Sequence, residues 1–105
     1  MQQESGSLCN YLSDSSSFED SSGTALLASA TYRLAMITNN TMSIPSADLA
    51  FSAILSKIDQ GGFLQGVVDP YNFGNEGTVS PEGQAFVLLL QAAWRDYQQW
   101  ANLTA

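Results

Sequence analysis

Hydrophobic positions fall into three helical stretches separated by polar breaks. The first, Ala25-Leu26-Leu27-Ala28-Ser29-Ala30-Thr31-Tyr32-Arg33-Leu34-Ala35-Met36-Ile37, predicts a helix from about Ser22 to Thr38. It is apolar nearly all round, and a helix without a polar face expects neighbours on every side. Glu19 and Asp20 precede it, where the helix dipole favours anions. Adjacent residues at a helix entry do not normally face each other, so capping is favoured for this pair over an acid/base role. After the break Thr38-Asn39-Asn40-Thr41, a second helix is expected from about Pro45 to Asp59. Its apolar residues Ala47, Ala50, Phe51, Ile54, Leu55 and Ile58 recur at i, i+3, i+4 and i+7, with Asp48, Ser52, Ser56 and Asp59 opposite. This is a one-sided helix, and Gly61-Gly62 reads as its C-terminal glycine cap.

Phe63 to Ser80 reads as a long loop in which Val67-Val68 can form a short strand, with turn signals at Asp69-Pro70 and Gly74-Asn75. The third helix has the clearest start. Ser80 can cap it, Pro81 occupies the first helical position, and Glu82 adds a favourable charge. It is expected to run to about Ala101, with Phe86, Leu89, Leu90, Ala93, Trp94 and Tyr97 as its stripe, widened by Val87 and Leu88. Trp94, Tyr97 and Trp100 are spaced for one face, and core packing is their default role. Residues 1–17 form a polar, serine-rich arm, and residues 18–105 form the helical part. A freestanding three-helix bundle needs three one-sided helices, and here two ask for more cover than the third can give. Either the chain forms a homo-oligomer, or it belongs to a larger helical body with the first and third helices inside and the second outside.

Composition narrows the chemistry. The chain has 105 residues, three basic against ten acidic, a formal net charge of −7 and no histidine. Nucleic acid and anionic membranes select Lys and Arg, so neither is expected as a partner. The absence of histidine removes the commonest general base and metal ligand, and no metal or other cofactor is expected. Cys9 is the single cysteine and can form neither an intrachain disulfide nor a thiolate cluster. It reads as a free thiol in a mobile arm. The longest apolar run, Ala85 to Leu90, is far short of the roughly 20 residues that span a bilayer. Met1-Gln2-Gln3-Glu4 has no basic segment and no apolar stretch behind it, so secretion would need a longer precursor with a signal peptide. The sequons at Asn39 and Asn102 matter only in that case.

Two places carry candidate chemistry. In the loop Val68–Gly77, Tyr71 and Phe73 could stack on a pyranose while Asp69 or Asn72 holds hydroxyls; the alternative is an ordinary loop pinned by two aromatics. Counted from Asp69, the third and fifth positions of a calcium loop would be Tyr71 and Phe73, which supply no suitable oxygen. Gly74-x-x-Gly77 lacks the third glycine and the strand–helix setting of a dinucleotide fingerprint. At the third helix start, Glu82 is a candidate ligand-binding or catalytic carboxylate, or simply a first-turn acid. The free N–H groups near Ser80, Gly83 and Gln84 could take a ligand carboxylate. No nucleophile, base and orienter can be read together, so an independent small enzyme is disfavoured.

The run Ser80-Pro81-Glu82-Gly83-Gln84-Ala85-Phe86-Val87-Leu88-Leu89-Leu90-Gln91-Ala92-Ala93-Trp94-Arg95-Asp96-Tyr97 resembles the last inner helix of fungal six-hairpin glycosidase-like proteins, which are similar to glycoside hydrolase families 88 and 105. Phe18-Glu19-Asp20-Ser21-Ser22-Gly23-Thr24-Ala25-Leu26-Leu27 resembles an earlier inner-helix start, and Gly62-Phe63-Leu64 with Val67-Val68-Asp69-Pro70 resembles the strand and loop between. The likeness spans about residues 14 to 100, a minor C-terminal part of such an enzyme. It implies an all-α, partial (α/α)6 toroid of three long helices in the order inner–outer–inner, with a long loop before the last. It also implies activity on oligosaccharides ending in an unsaturated uronic acid, through an aspartate and without a metal. That aspartate lies in helices upstream of everything matched, so no catalytic residue is carried over, and a fragment inactive alone, lacking the rest of its barrel, is expected. In such proteins inner-helix starts line the cleft, which makes Glu19, Thr24, Ser80, Glu82 and Gln84 cleft candidates alongside Asp69, Tyr71 and Phe73 of the loop. The second reading is a non-catalytic helical module for carbohydrate binding or protein interaction.

Overall fold

The structure, a computed structural model, describes residues 2–104. Its elements are α1 (Ser21–Thr38), α2 (Ile44–Ser56), β1 (Val67–Asp69), β2 (Asn72–Gly77) and α3 (Pro81–Thr104). α1 begins where its cap requires: Asp20 is extended and its carboxylate accepts the Ser22 N–H. It ends at Asn39 in the left-handed conformation, whose N–H returns to Ala35 O. α3 is capped by Ser80 as expected, with Gly83 N donating to Ser80 Oγ at 3.0 Å, and starts at Pro81, but it runs on to Thr104.

α1 and α3 lie side by side and parallel. Ser29 Oγ donates to Leu89 O at 3.3 Å, and one turn further on Arg33 Nη1 donates to Asp96 Oδ2 at 2.6 Å. α2 returns antiparallel across them. Tyr32 Oη donates to Asp48 Oδ1 at 2.6 Å, and Phe51 meets Trp94 with ring centroids 5.4 Å apart. The three helices thus pack with α1 and α3 parallel and α2 antiparallel to them. One core joins the three helices through Ala25, Ala28, Tyr32 and Ala35 of α1, Ile44, Ala47, Ala50 and Ile54 of α2, and Val87, Leu90, Ala93 and Tyr97 of α3. Three alanines on α1 allow close helix approach, and the volume is filled by Tyr32, whose ring lies 5.5 Å from that of Tyr97.

Several expectations are corrected. The fold is mostly helical, and the loop before α3 holds an antiparallel hairpin, of which only β1 was expected. α2 stops at Ser56, and Gly61-Gly62 does not cap it. Lys57 instead bonds back to Ile54, the chain forms a bridge between Ile58 and Leu64, and Asp59 Oδ1 accepts the N–H groups of Gly61 and Phe63 inside that turn. On α2, Ala53 takes the inward place expected for Leu55, which is exposed. On α3, Leu89 is 51% exposed and Val87 is inward, because the helix buries positions 83, 87, 90, 93 and 97. The arm is docked: Gln2 Nε2 donates to Ser46 O, Leu8 N donates to Thr24 Oγ1, and the bridge between Cys9 and Glu19 leaves Cys9 3% exposed.

The wide apolar surfaces expected on α1 and α3 are present. Leu26, Leu34 and Ile37 of α1 and Leu88 and Leu89 of α3 face outward. Among the described residues no helix is long and apolar enough to cross a membrane.

Candidate functional site

Because α1 and α3 are parallel, their N-termini meet at one end of the molecule. The contact there is close: a Cβ on Gly83 would lie 2.6 Å from Ser22 Oγ and 3.3 Å from Leu64 Cδ2. The hairpin is tied to the same end, since Ser21 N donates to Gly66 O at 2.8 Å, one residue before β1. Leu64 N donates to Gln84 Oε1 at 2.6 Å, and Gln84 Nε2 donates to Gly62 O at 3.0 Å. The helix starts and the hairpin therefore form one contiguous surface.

The candidate residues divide within it. Thr24 is 1% exposed, and its hydroxyl donates to Asp20 O and accepts the Leu8 N–H, so it fastens the arm and offers nothing to a ligand. Gln84 is likewise committed to the turn before β1. Ser80 Oγ donates to Glu82 Oε2 at 3.0 Å. Glu82 is exposed, and its own N–H followed by the Ser80 hydroxyl holds its carboxyl below the usual range. It is thus a fixed anion and an acceptor. Glu19 Oε1 accepts from Ser5 Oγ at 2.9 Å. Asp20 goes the other way: burial outweighs the N–H groups of Gly23 and Ser22 and raises its pKa, but its carboxylate is occupied as the α1 cap.

Asp20 gives a test of this end. Replacing it with Ala is expected to cost about 1 kcal/mol, whereas Asn, an equally good cap, retains that stability. With the folded value raised, the native state takes up this proton before the unfolded chain does. Stability from this group therefore rises as pH falls through the raised value towards 3.8. Thermal melts across that window should show a smaller rise for Asp20→Asn than for wild type.

The hairpin is the more open half. Val67 pairs with Gly77, Val68 with Glu76 and Asp69 with Asn72, with an irregularity after Val68. Asp69 Oδ1 accepts the Tyr71 N–H at 2.9 Å and Asn72 Oδ1 accepts the Gly74 N–H at 3.3 Å, so side chains shape the turn. Tyr71 is 97% exposed and Phe73 71% exposed. The two expected stacking residues do not share one hollow. Asp69, Pro70, Tyr71, Glu76, Gly77, Thr78 and Val79 line a shallow hollow of about 290 Å³. Phe73 sits apart from it, on the stretch held by Asn10, whose Nδ2 donates to Phe73 O at 2.8 Å. Sequence reasoning missed Glu76 and Thr78, which sit in a run of turn-forming residues with no periodicity to mark them. Among the described residues no group of three or more His, Cys, Asp or Glu side chains could hold a metal ion.

No protein-family profile and no curated protein matches the sequence. Solved structures do share its fold. One is described as a possible member of the GH105 family from Klebsiella pneumoniae subsp. pneumoniae, with 23% identity and a TM-score of 0.79. Another carries the same description, from Salmonella enterica subsp. enterica serovar Paratyphi A, with 24% identity and a TM-score of 0.78. Each match covers 91% of this chain and 28% of the other, so the chain spans little more than a quarter of their length. The three helices and the hairpin therefore have the fold of one section of these GH105 structures.

Proposed function

We propose that the chain is part of a carbohydrate-active hydrolase of the six-hairpin glycosidase type and supplies one wall of its sugar-binding cleft. The observation that carries this reading is the convergence of two parallel helix starts and an exposed hairpin at one end, within a fold shared with possible GH105 proteins over 91% of the chain. The substrate class is an oligosaccharide ending in an unsaturated uronic acid. The chain holds sugar and does not itself turn it over. Glu82 is held ionised beside Ser80, Asp20 is engaged as a cap, and the remaining hydrogen bonds at these helix starts bind the fold together.

Incubation with an unsaturated uronyl disaccharide should leave the alkene absorbance unchanged, and a steady loss would overturn the inactivity. In the same sample, amide resonances at the starts of α1 and α3 and in the hairpin should shift with added oligosaccharide. No shift at millimolar concentrations of several such sugars would remove the carbohydrate reading.

A further inference from the structure

Tyr71 is almost wholly in water, its backbone N–H is held by the Asp69 carboxylate, and the residue borders the hollow between the hairpin turn and Val79. An exposed aromatic face beside hydrogen-bonding groups suits a pyranose, whose C–H face stacks on the ring while its hydroxyls reach acceptors at the edge. The acceptors are carboxylates. Asp69 and Glu76 both line the hollow, with Thr78 as a further hydroxyl, and no base lines it. Asp69 uses Oδ1 on the Tyr71 N–H, which leaves its second oxygen for a sugar hydroxyl.

The chain's few cations lie elsewhere. Arg33 and Arg95 both meet Asp96, the former from 12 residues into α1, about 18 Å along the helix from the end that carries the hairpin. Lys57 follows α2 and is not among the residues that line the hollow. A uronate placed here would meet two carboxylates with no counter-charge, which disfavours an anionic guest and leaves a polyhydroxylated neutral one favoured.

We propose that the Asp69–Val79 hollow is a subsite for a neutral sugar unit, stacked on Tyr71 and held through its hydroxyls by Asp69 and Glu76, and that it rejects uronate. This rests on the carbohydrate reading above and assigns the acidic end of the substrate to a part of the cleft other than the hairpin.

The test is a titration of the whole chain, followed by amide shifts, with a neutral disaccharide and separately with a uronic-acid disaccharide, both in EDTA. The neutral sugar should shift residues 69–79, and the uronate should bind there at least about tenfold more weakly. Tyr71→Ala should weaken neutral binding about tenfold, as expected for loss of one stacking contact. Glu76→Gln should narrow the discrimination between the two sugars. Because Tyr71 and Glu76 are exposed, both variants should melt like wild type. Equal binding of uronate at 69–79 would overturn the charge selection while leaving carbohydrate binding intact. Shifts confined to the starts of α1 and α3 would overturn the hairpin subsite and leave the wider reading standing. No shift with either sugar would overturn this proposal, and a positive result with longer oligosaccharides would then show that the wider reading survives it.

Discussion

A Gly6→Ala protein is expected to melt well below wild type, with its arm detached from α2. Gly6 has φ of 98°, a left-handed value that costs an L side chain roughly 1–2 kcal/mol. A Cβ there would also run into the Leu49 carbonyl and lie 3.1 Å from Ala50 N, all backbone and unable to turn aside. The chain can relieve the clash only by lifting residues 2–8 off the helix, which loses the Gln2 bond to Ser46 O and the Leu8 bond to Thr24. The summed loss is about 3 kcal/mol, or roughly 10–20 °C in Tm for a domain of this size. Gly62→Ala is the control. Gly62 has φ of 87° but nothing within 4 Å of its added Cβ, so the strain alone remains, about 1 kcal/mol. Equal melting temperatures for the two variants would show that the arm is not packed as described.

Tyr32 is the position where truncation should cost most. It is completely buried between α2 and α3, and Tyr32→Ala should lose about 3–5 kcal/mol through lost transfer energy and an unfilled cavity. Tyr32→Phe keeps the ring and gives up only the bond to Asp48, about 1 kcal/mol, because Asp48 remains open to water. The two variants also differ in pH dependence. Burial first, then the bond to Asp48, holds the Tyr32 phenol far above its ordinary 10.0. A group whose folded pKa is raised contributes fully below its unfolded value and less as pH rises beyond it. Wild-type stability should therefore fall as pH passes about 10, where the unfolded tyrosine ionises and the native one does not. Tyr32→Phe should remove that component, so its melting temperature approaches that of wild type towards pH 11. A constant gap between the two from pH 8 to pH 11 would place the phenol in contact with solvent.

The helices were legible because their starts are written in capping residues. Asp20 and Ser80-Pro81 place α1 and α3 to within a residue, and the apolar stretches mark the three helices. The end of α2 was not legible, because Gly61-Gly62 looks like a cap while Asp59, three residues beyond Ser56, builds a turn of its own. β2 was missed for a related reason: Asn72-Phe73-Gly74-Asn75-Glu76-Gly77 is exposed and pairs through backbone alone, so no side-chain alternation announces it. The docked arm gives little signal either, since apart from the buried Cys9 its contacts are hydroxyl, amide and glycine contacts. At the candidate site, helix-start motifs show where free N–H groups lie but not which side chains are already engaged. Thr24 and Gln84 carry the same motif signal as Ser80 and Glu82, and only the structure separates fasteners from exposed groups.

The parallel placement of α1 and α3 has a kinetic consequence. Their contacts join residues 60 and 63 positions apart, as between Ser29 and Leu89 or Arg33 and Asp96. α1 and α2 are joined by the short link 39–43 and can pair as soon as both exist. α3 must close a loop of about sixty residues before it gains its contacts with α1, and such closure is paid in chain entropy ahead of those contacts. The end that carries the hairpin needs α3 in place, because Gln84 holds the turn at Gly62 and Leu64. It is therefore expected to be completed only once α3 has docked, and a fluctuation that loosens α3 should disturb it while the α1–α2 pair is still intact.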